Sequence, residues 1–206
     1  MLKRLRDLAL YMDYNIWYQV NTRWHTPFLD AVIPYFRNQW FWAPLYLFLL
    51  VFITKNFGRK GWLWCLVFLV SFGLSDYISA ALIKPIFHRL RPCNNPYLIS
   101  IVQSIVPCGS GYSFPSSHAA NHFCLGIFTA TTVQKNIKWI WPIAIAWAAL
   151  VSFSQVYVGV HFPLDVSFGA LIGIAIGLFT GRLFNRYFDL AGINVLRPDT
   201  TDFINK

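Results

Sequence analysis

The sequence predicts an all-α membrane protein, a polytopic bundle of five transmembrane helices, or six, with an interfacial N-terminal segment. Of its 206 residues, 56% are hydrophobic and only 12% are charged, whereas about 25% of the residues of a soluble domain carry a charge. Several apolar runs approach the roughly 20 residues that a helix needs to cross a bilayer. These runs are too long and too continuously apolar for barrel strands. We therefore expect one helical membrane domain over residues 1–206.

Residues 1–38 are predicted to lie at the membrane interface. The stretches 8–20 and 25–36 mix aromatic residues with charges at near-helical spacing, as expected for helices that rest among the lipid headgroups. An imperfect additional span within this segment is the alternative, and it would raise the number of transmembrane helices to six.

Five spans form the predicted helical core, residues 39–187, and a C-terminal tail follows over 188–206. Each span is an apolar run bounded by polar or charged residues. The predicted spans are 39–55, 61–83, 116–134, 138–156 and 163–185.

Short loops between the spans predict the orientation of the chain. Loops 55–60, 134–138 and 181–188 are positively charged and fall on one side, which is therefore the predicted cytoplasmic side. The long segment 84–115 and the short connection 157–162 then lie on the outer side. The basic residues near the N-terminus weaken this assignment, because five spans place them outside.

Three polar motifs occur at the outer ends of the spans. "KPIFHRLRP" (84–92) follows the second span, "PSSH" (115–118) opens the third, and "SQVYVGVHFPLD" (154–165) joins the fourth to the fifth. Imidazoles and hydroxyls are costly to bury without polar partners. Because neighbouring antiparallel spans bring their ends together, we expect the three motifs to form one site.

The first two motifs contain the residue types of an anion site. Lys84 and Arg91 supply fixed positive charge, and the guanidinium fork suits phosphate oxygens. With Pro115 at the entrance of a helix, Ser116, Ser117 and the first free N–H groups would offer donors to an anion.

Two histidines add acid–base and nucleophilic chemistry. His161 precedes Asp165 by four residues, so the carboxylate can accept the imidazole Nδ1–H and leave Nε2 basic. A histidine held in this way can attack phosphorus. His118 could protonate the departing oxygen and later activate water.

Taken together, these motifs resemble the signatures of the type 2 phosphatidic acid phosphatase superfamily. "K-x6-RP", "PS-x-H" and "S-x6-H-x3-D" occur in the family's order between residues 84 and 165. The resemblance implies that His161 is the nucleophile and forms a phosphohistidine, that Asp165 orients it, and that His118 is the general acid. It implies neither a cofactor nor a metal. The candidate phosphate-binding residues are Lys84, Arg91, Ser116, Ser117 and Gln155.

Two positions depart from the family pattern. Ser117 replaces the glycine usual at the third position of the second motif, and Gln155 replaces the arginine that normally follows Ser154. A glutamine amide can donate an N–H to phosphate but brings no charge. Arg89 could compensate if the segment 84–115 folds inward.

The resemblance implies a metal-independent membrane phosphatase that acts on a lipid mono- or diphosphate. Undecaprenyl pyrophosphate and a phosphatidyl-type lipid are the leading candidates, and the expected location is a bacterial inner membrane with the site on its outer face. One alternative is a phosphotransferase that passes the phosphoryl group to another lipid. The other is a binding or scaffold protein with a degenerate site, which Gln155 would permit.

The net charge of +9 agrees with contacts to anionic lipid headgroups or to an anionic substrate. We expect membrane lipids and a lipid phosphate as partners and no nucleic acid, because the sequence has no basic tract or readout motif. It does not indicate the oligomeric state.

Two further polar residues fall within the spans. His122 forms an i, i+4 pair with His118 that could bind zinc, but we expect a core histidine bonded to Asn121 or to the segment 84–115. Asp76 is expected to be either functional or a structural partner of the polar cluster.

The four cysteines fall into two pairs. Cys65 and Cys124 lie within spans and are expected to be reduced and buried. Cys93 and Cys108 enclose 14 residues of the outer segment, where an oxidising exterior would permit a disulfide. Closing a loop of that size could stabilise the fold by roughly 3 kcal/mol.

Overall fold

A computed structural model describes residues 1–190, and their regular elements are all helical. The predicted tail 188–206 therefore lies outside the described residues from 191 onward. The helices are α1 (Leu2–Tyr18), α2 (Pro27–Arg37), α3 (Ala43–Asp76), α4 (Lys84–Phe87), α5 (Ser117–Val133), α6 (Ile140–Tyr157) and α7 (Pro163–Phe188). The all-α fold class is confirmed.

Three helical segments within residues 1–190 are long and apolar enough to cross a membrane: Gln39–Asn94, Ile140–Tyr157 and Pro163–Phe188. Many of their large apolar side chains are exposed, including Leu69 at 63% and Leu171 at 61%. A surface of this kind is stable against lipid tails and unfavourable in water. The chain is an integral membrane protein.

The predicted spans 39–55 and 61–83 both fall within α3, which consists of two helices joined at Gly58, where the backbone leaves helical geometry. Gly58 has a φ of 52°, a conformation that costs a residue without Cβ little. The chain turns back at this point: a Cβ atom on Gly61 would lie 2.9 Å from the Cα atom of Thr54, whereas residues seven apart in a straight helix are separated by about 10 Å. The predicted break between the two spans is therefore present as a tight turn at Gly58, and the two arms of α3 lie side by side near it.

α5, with 17 residues, is the central helix of the bundle. Its side chains are buried from Ala119 to Val133 with the exception of Phe123. A helix surrounded by other helices cannot show a lipid-facing stripe, so its polar residues must find partners inside the protein.

Small residues on α7 allow it to pack directly against α5. Gly169, Gly173 and Gly177 recur every four residues and so lie on one face of the helix. A Cβ atom on Gly173 would lie 2.8 Å from the backbone nitrogen of Cys124, and one on Gly177 would lie 3.0 Å from the Cβ of Ile127. Glycines of this spacing let two helix backbones approach closely within a membrane.

The segment 84–115 is fastened to the N-terminal part of the chain. The side-chain amide of Asn21 donates to the carbonyl oxygens of Gln103 (2.9 Å) and Tyr157 (2.7 Å). Within the segment 84–115 a disulfide joins Cys93 to Cys108, whose Cα atoms are 5.9 Å apart. These links hold the chain between α4 and α5 against the N-terminal segment and the last residue of α6.

The glycine face predicts opposite effects for the same substitution at two positions. Gly173→Ala should destabilise the protein by about 1–3 kcal/mol, because the new methyl group must push α7 away from α5. Gly73→Ala is the matched control: its Cβ would meet nothing within 4 Å, and the lower backbone entropy of alanine should leave stability unchanged or raise it by about 0.5–1 kcal/mol. Thermal unfolding of both variants in detergent measures the difference, and equal midpoints would contradict the packing described.

Candidate active site

His161 and Asp165 lie side by side in the interior at the N-terminal end of α7. His161 is 2% exposed and Asp165 is fully buried. The imidazole Nδ1 is 3.5 Å from Asp165 Oδ2 and has no hydrogen-bond partner among the described residues. Hydrogen bonds of catalytic pairs are often long without substrate and tighten in the complex. The predicted pairing is thus present as a close contact rather than as a hydrogen bond.

The turn between α6 and α7 fixes the backbone of His161. The N–H groups of Val160 and His161 both donate to the carbonyl oxygen of Gln155, at 3.2 Å each. Gly159 adopts a φ of 80°, and a Cβ atom there would lie 2.8 Å from Val102 Cγ2. Only glycine fits this turn, which places the imidazole beside the first turn of α7.

The Gln155 side chain is fully buried at this turn. Neither atom of its amide has a hydrogen-bond partner among the described residues. A buried amide without partners is costly, so a site that keeps one normally satisfies it with a bound molecule or with water.

A guanidinium group ties the aspartate of the pair to the N-terminal helix. Arg89 Nη1 donates to Asp165 Oδ1 at 2.7 Å, and Nη2 donates to Asp13 Oδ2. The guanidinium carbon of Arg89 also lies 4.0 Å from the ring centre of Phe162. The second oxygen of Asp13 accepts the backbone N–H of Leu164 at 2.7 Å.

This arrangement contradicts the idea that Arg89 replaces the missing arginine of the third motif. The segment does fold inward, as that idea required. However, the charge of Arg89 is compensated by two buried carboxylates, those of Asp13 and Asp165. Arg89 is therefore part of the framework that holds Asp165.

The second motif packs against the third through its backbone. Ser116 caps α5, its Oγ accepting the Ala119 N–H at 3.4 Å, and its own N–H donates to the main-chain oxygen of Asp165 at 2.9 Å. The main-chain N–H of Ser116 is therefore not available to an anion. The Ser117 hydroxyl oxygen is buried and has no partner among the described residues.

His118 and His122 lie one turn apart on α5 with their rings stacked, 6.4 Å between centres. Nδ1 of His122 is 2.8 Å from the carbonyl oxygen of His118, and Nε2 is 3.4 Å from the Tyr46 hydroxyl. The expected partners, Asn121 and the segment 84–115, are therefore wrong. Because both ring nitrogens of His122 have protein partners, the arrangement does not favour a zinc pair.

Asp76 faces the same part of α5. Its carboxylate oxygen accepts the side-chain N–H of Asn121 at 2.9 Å. Of the two possibilities that the sequence left open, the structural partner is the one that the contact supports.

Three cations surround the histidines. Lys84 and Arg91 interact electrostatically with His161, and the Nε of Arg91 is buried without a partner among the described residues. Arg37, the last residue of α2, interacts electrostatically with both Arg91 and His118. Its Nε is also buried and unpaired within residues 1–190, and no described carboxylate lies within ion-pair distance. Nothing in the local sequence around Arg37 indicates a site.

A cavity of about 590 Å³ opens beside the histidines and runs along α5. Ser117 and His118 line one end, and Leu125 lies further along the helix. The nine residues from Ser117 to Leu125 span about 12 Å along the helix axis. The walls from α3 are largely apolar and include Leu49, Phe68 and Phe72.

The family model of the PAP2 superfamily matches residues 62–189, which contain all three motifs. The chain belongs to the PAP2 superfamily. It is 34% identical over 155 residues to the lipid A 4'-phosphatase of Bacteroides thetaiotaomicron, covering 72% of this chain and 67% of that protein. It is 30% identical to the lipid A 4'-phosphatase of Porphyromonas gingivalis, covering 86% and 75%.

Two solved PAP2 structures share the fold. The PAP2-type phosphatidylglycerolphosphate phosphatase of Bacillus subtilis superposes with a TM-score of 0.69 over 89% of this chain and 90% of its own, at 24% identity. Aquifex aeolicus LpxE superposes with a TM-score of 0.61 over 83% and 95%, at 27% identity. The resemblance that the motifs indicated is confirmed, and this PAP2 chain is a lipid phosphatase.

Burial and the charges of Arg91 and Lys84 together lower the pKa of His161 to about 4, and Asp165 opposes this shift. At neutral pH the imidazole of this PAP2 chain is therefore uncharged and retains the lone pair that a nucleophile needs.

This shift predicts how stability depends on pH. The pKa of His161 in the folded state lies below its unfolded value of about 6.5. The stabilising contribution of the neutral imidazole to the free energy of unfolding is therefore complete above pH 6.5 and is lost as the pH falls towards 4. Thermal midpoints should fall over this interval in the wild type and fall less in His161→Gln. His88→Gln, at an exposed histidine, is the control and should behave like the wild type. If the thermal midpoint of His161→Gln fell with pH as steeply as that of the wild type, the lowered pKa of His161 would be contradicted.

Proposed function

We propose that the chain removes phosphate from a membrane lipid without a metal, through a phosphohistidine formed on His161. The observation that carries this proposal is the buried imidazole of His161 with Asp165 behind it, 3.5 Å away. Lys84 and Arg91 interact electrostatically with that imidazole and would stabilise the negative charge of a phosphoryl group.

The reaction would take two steps on the two histidines. In the first, Nε2 of His161 attacks phosphorus while protonated His118 gives its proton to the departing oxygen. In the second, neutral His118 takes a proton from water, the resulting hydroxide attacks the phosphohistidine, and inorganic phosphate leaves. Asp165 would hold the imidazole and stabilise its positive form, as an aspartate does in a Ser-His-Asp triad. Ser116 and Ser117 are the proposed hydroxyl donors to the phosphate.

The apolar cavity beside His118 supports a substrate with a long hydrocarbon chain. A lipid whose phosphate lies between the histidines could place one chain along α5, against the walls that include Phe68 and Phe72. Among lipid phosphates, a lipid A-type 4'-phosphate becomes the first candidate, since two relatives that are at least 30% identical carry that activity in their names. Undecaprenyl pyrophosphate, supported by the undecaprenyl-diphosphatase of Bacillus subtilis, and phosphatidyl-type lipids follow.

We also propose that the site faces the outer side of a bacterial inner membrane. The basic loops at the opposite ends of the helices support this orientation. A phosphotransferase would use the same phosphohistidine but pass it to a lipid acceptor, so the fate of the phosphate separates the two reactions.

The decisive measurement is phosphate release from purified protein with lipid A 1,4'-bisphosphate, undecaprenyl pyrophosphate and phosphatidylglycerol phosphate, with and without EDTA. We expect turnover of at least one lipid that EDTA leaves nearly intact. His161→Ala should lose more than the roughly 10²–10⁴-fold typical of missing acid–base help, whereas His88→Ala should retain activity. Appreciable turnover by His161→Ala would overturn the nucleophile assignment. Transfer of the phosphoryl group to a lipid acceptor without phosphate release would favour the phosphotransferase. No turnover of any lipid would favour the scaffold protein.

In this chain Gln155 occupies the position at which the third motif normally has an arginine. We propose that Arg37 supplies the missing positive charge. Its guanidinium is not compensated by any described carboxylate, unlike that of Arg89, and it acts on Arg91 and His118. Two like charges repel unless an anion lies between them, so Arg37 and Arg91 together favour a phosphate. The buried, unpaired amide of Gln155 would complete the site as an uncharged donor.

A charge swap tests this assignment. Arg37→Gln should lower kcat/KM about tenfold or more, because a charge-assisted contact contributes about 1.5–3 kcal/mol. Adding Gln155→Arg to Arg37→Gln should restore part of the loss by returning the cation to the family position. Arg23→Gln, at an exposed arginine of the same N-terminal segment, is the control. If Arg37→Gln had the kcat/KM of the wild type, Arg37 would not be the residue that takes the place of the family arginine.

A further inference from the structure

The geometry points to Asp13 as a positioning residue for the nucleophile. Asp13 would hold Arg89 and the first turn of α7 so that the Asp165 carboxylate remains available to His161. This inference rests on the proposed nucleophilic role of His161. It assigns a part in the reaction to α1, which lies outside the three motifs and outside the residues matched to the family.

The first reason is the way in which Arg89 divides its hydrogen bonds. One guanidinium nitrogen donates to Asp165 at 2.7 Å and the other donates to Asp13. An arginine with a single carboxylate partner tends to form two parallel hydrogen bonds to it. Without the charge of Asp13, Arg89 would be free to turn both branches onto Asp165. The carboxylate would then move away from an imidazole that is already 3.5 Å distant.

The second reason is a direct contact between Asp13 and α7. Its Oδ1 accepts the Leu164 N–H at 2.7 Å, one of the first-turn N–H groups that have no partner within the helix. Leu164 directly precedes Asp165, so this hydrogen bond fixes the backbone that carries the carboxylate. Asp165 in turn accepts the Phe162 N–H at 2.8 Å, and the turn is held from both sides.

Docking of α1 does not by itself require a buried charge at position 13. Trp17 and Tyr14 already pack on the ring of Phe162, with centres 5.8 and 5.1 Å apart. Asp13 is nevertheless 2% exposed, and a buried ion pair is weak support for stability because desolvation offsets its attraction. A role in placing Asp165 explains why a carboxylate lies there.

The test compares Asp13→Asn with the wild type in rapid-quench measurements of phosphoenzyme formation on the best lipid of the panel. Asparagine keeps an oxygen for the Leu164 N–H and replaces the charged oxygen that accepts from Arg89 by an amide NH2 group. We expect the rate constant of phosphoenzyme formation to fall about ten- to a hundredfold, as for lost hydrogen-bond partners behind metal-binding histidines, and kcat to fall where this step becomes rate-limiting. The Kd of the lipid should change little, and Asp13→Glu should recover part of the rate.

The control is Asp7→Asn on the same helix, where an exposed aspartate pairs with Arg6 at the surface. Wild-type rates in Asp13→Asn would overturn the inference while leaving the nucleophile assignment intact. A loss of burst amplitude at an unchanged rate would also overturn it, since that result means fewer folded molecules rather than a misplaced carboxylate. If His161→Ala forms phosphoenzyme in the same experiment, the proposed function itself fails, and this inference fails with it.

Discussion

The close approach of α5 to α7 is the constraint on which the site depends. Gly169, Gly173 and Gly177 remove every side chain from the shared face of α7, and a Cβ atom on Gly169 would collide with the carbonyl oxygen of Ser116. Where α5 and α7 begin, at one end of the same interface, the Ser116 N–H donates to the main-chain oxygen of Asp165 at 2.9 Å. Backbone packing, rather than side-chain recognition, therefore brings the second motif against the third.

The positively charged residues near the contact between the second and third motifs divide into two groups. Arg89 is compensated by Asp13 and Asp165, which makes it a structural cation in a region of low dielectric. Arg91 and Arg37 have no described carboxylate within ion-pair distance and repel each other. Excess buried positive charge is unfavourable in an unliganded protein, and a phosphate group would relieve it. The site is thus arranged for an anion that arrives with the substrate.

The corrections to the sequence-based expectations have a common cause. Arg89 was expected to reach the phosphate because it lies in the first motif, yet its partner Asp13 is 76 residues away in sequence. In the same way, the main-chain N–H of Ser116 in the second motif donates to Asp165, which lies on another helix. Spacing within a motif indicates which residue types can act together. It does not indicate which groups of a distant helix form hydrogen bonds or ion pairs with them.

The sequence by itself determined the helical membrane fold, the family and the three motifs, because hydrophobic run length and residue spacing are local properties that survive in the linear order. It also placed Cys93 and Cys108 near enough to pair. Only the tertiary structure decided which cation compensates which carboxylate, and that α1 and α2 bring Asp13 and Arg37 to the site. Electrostatic interactions depend on distance in space, and helix packing sets that distance independently of sequence separation.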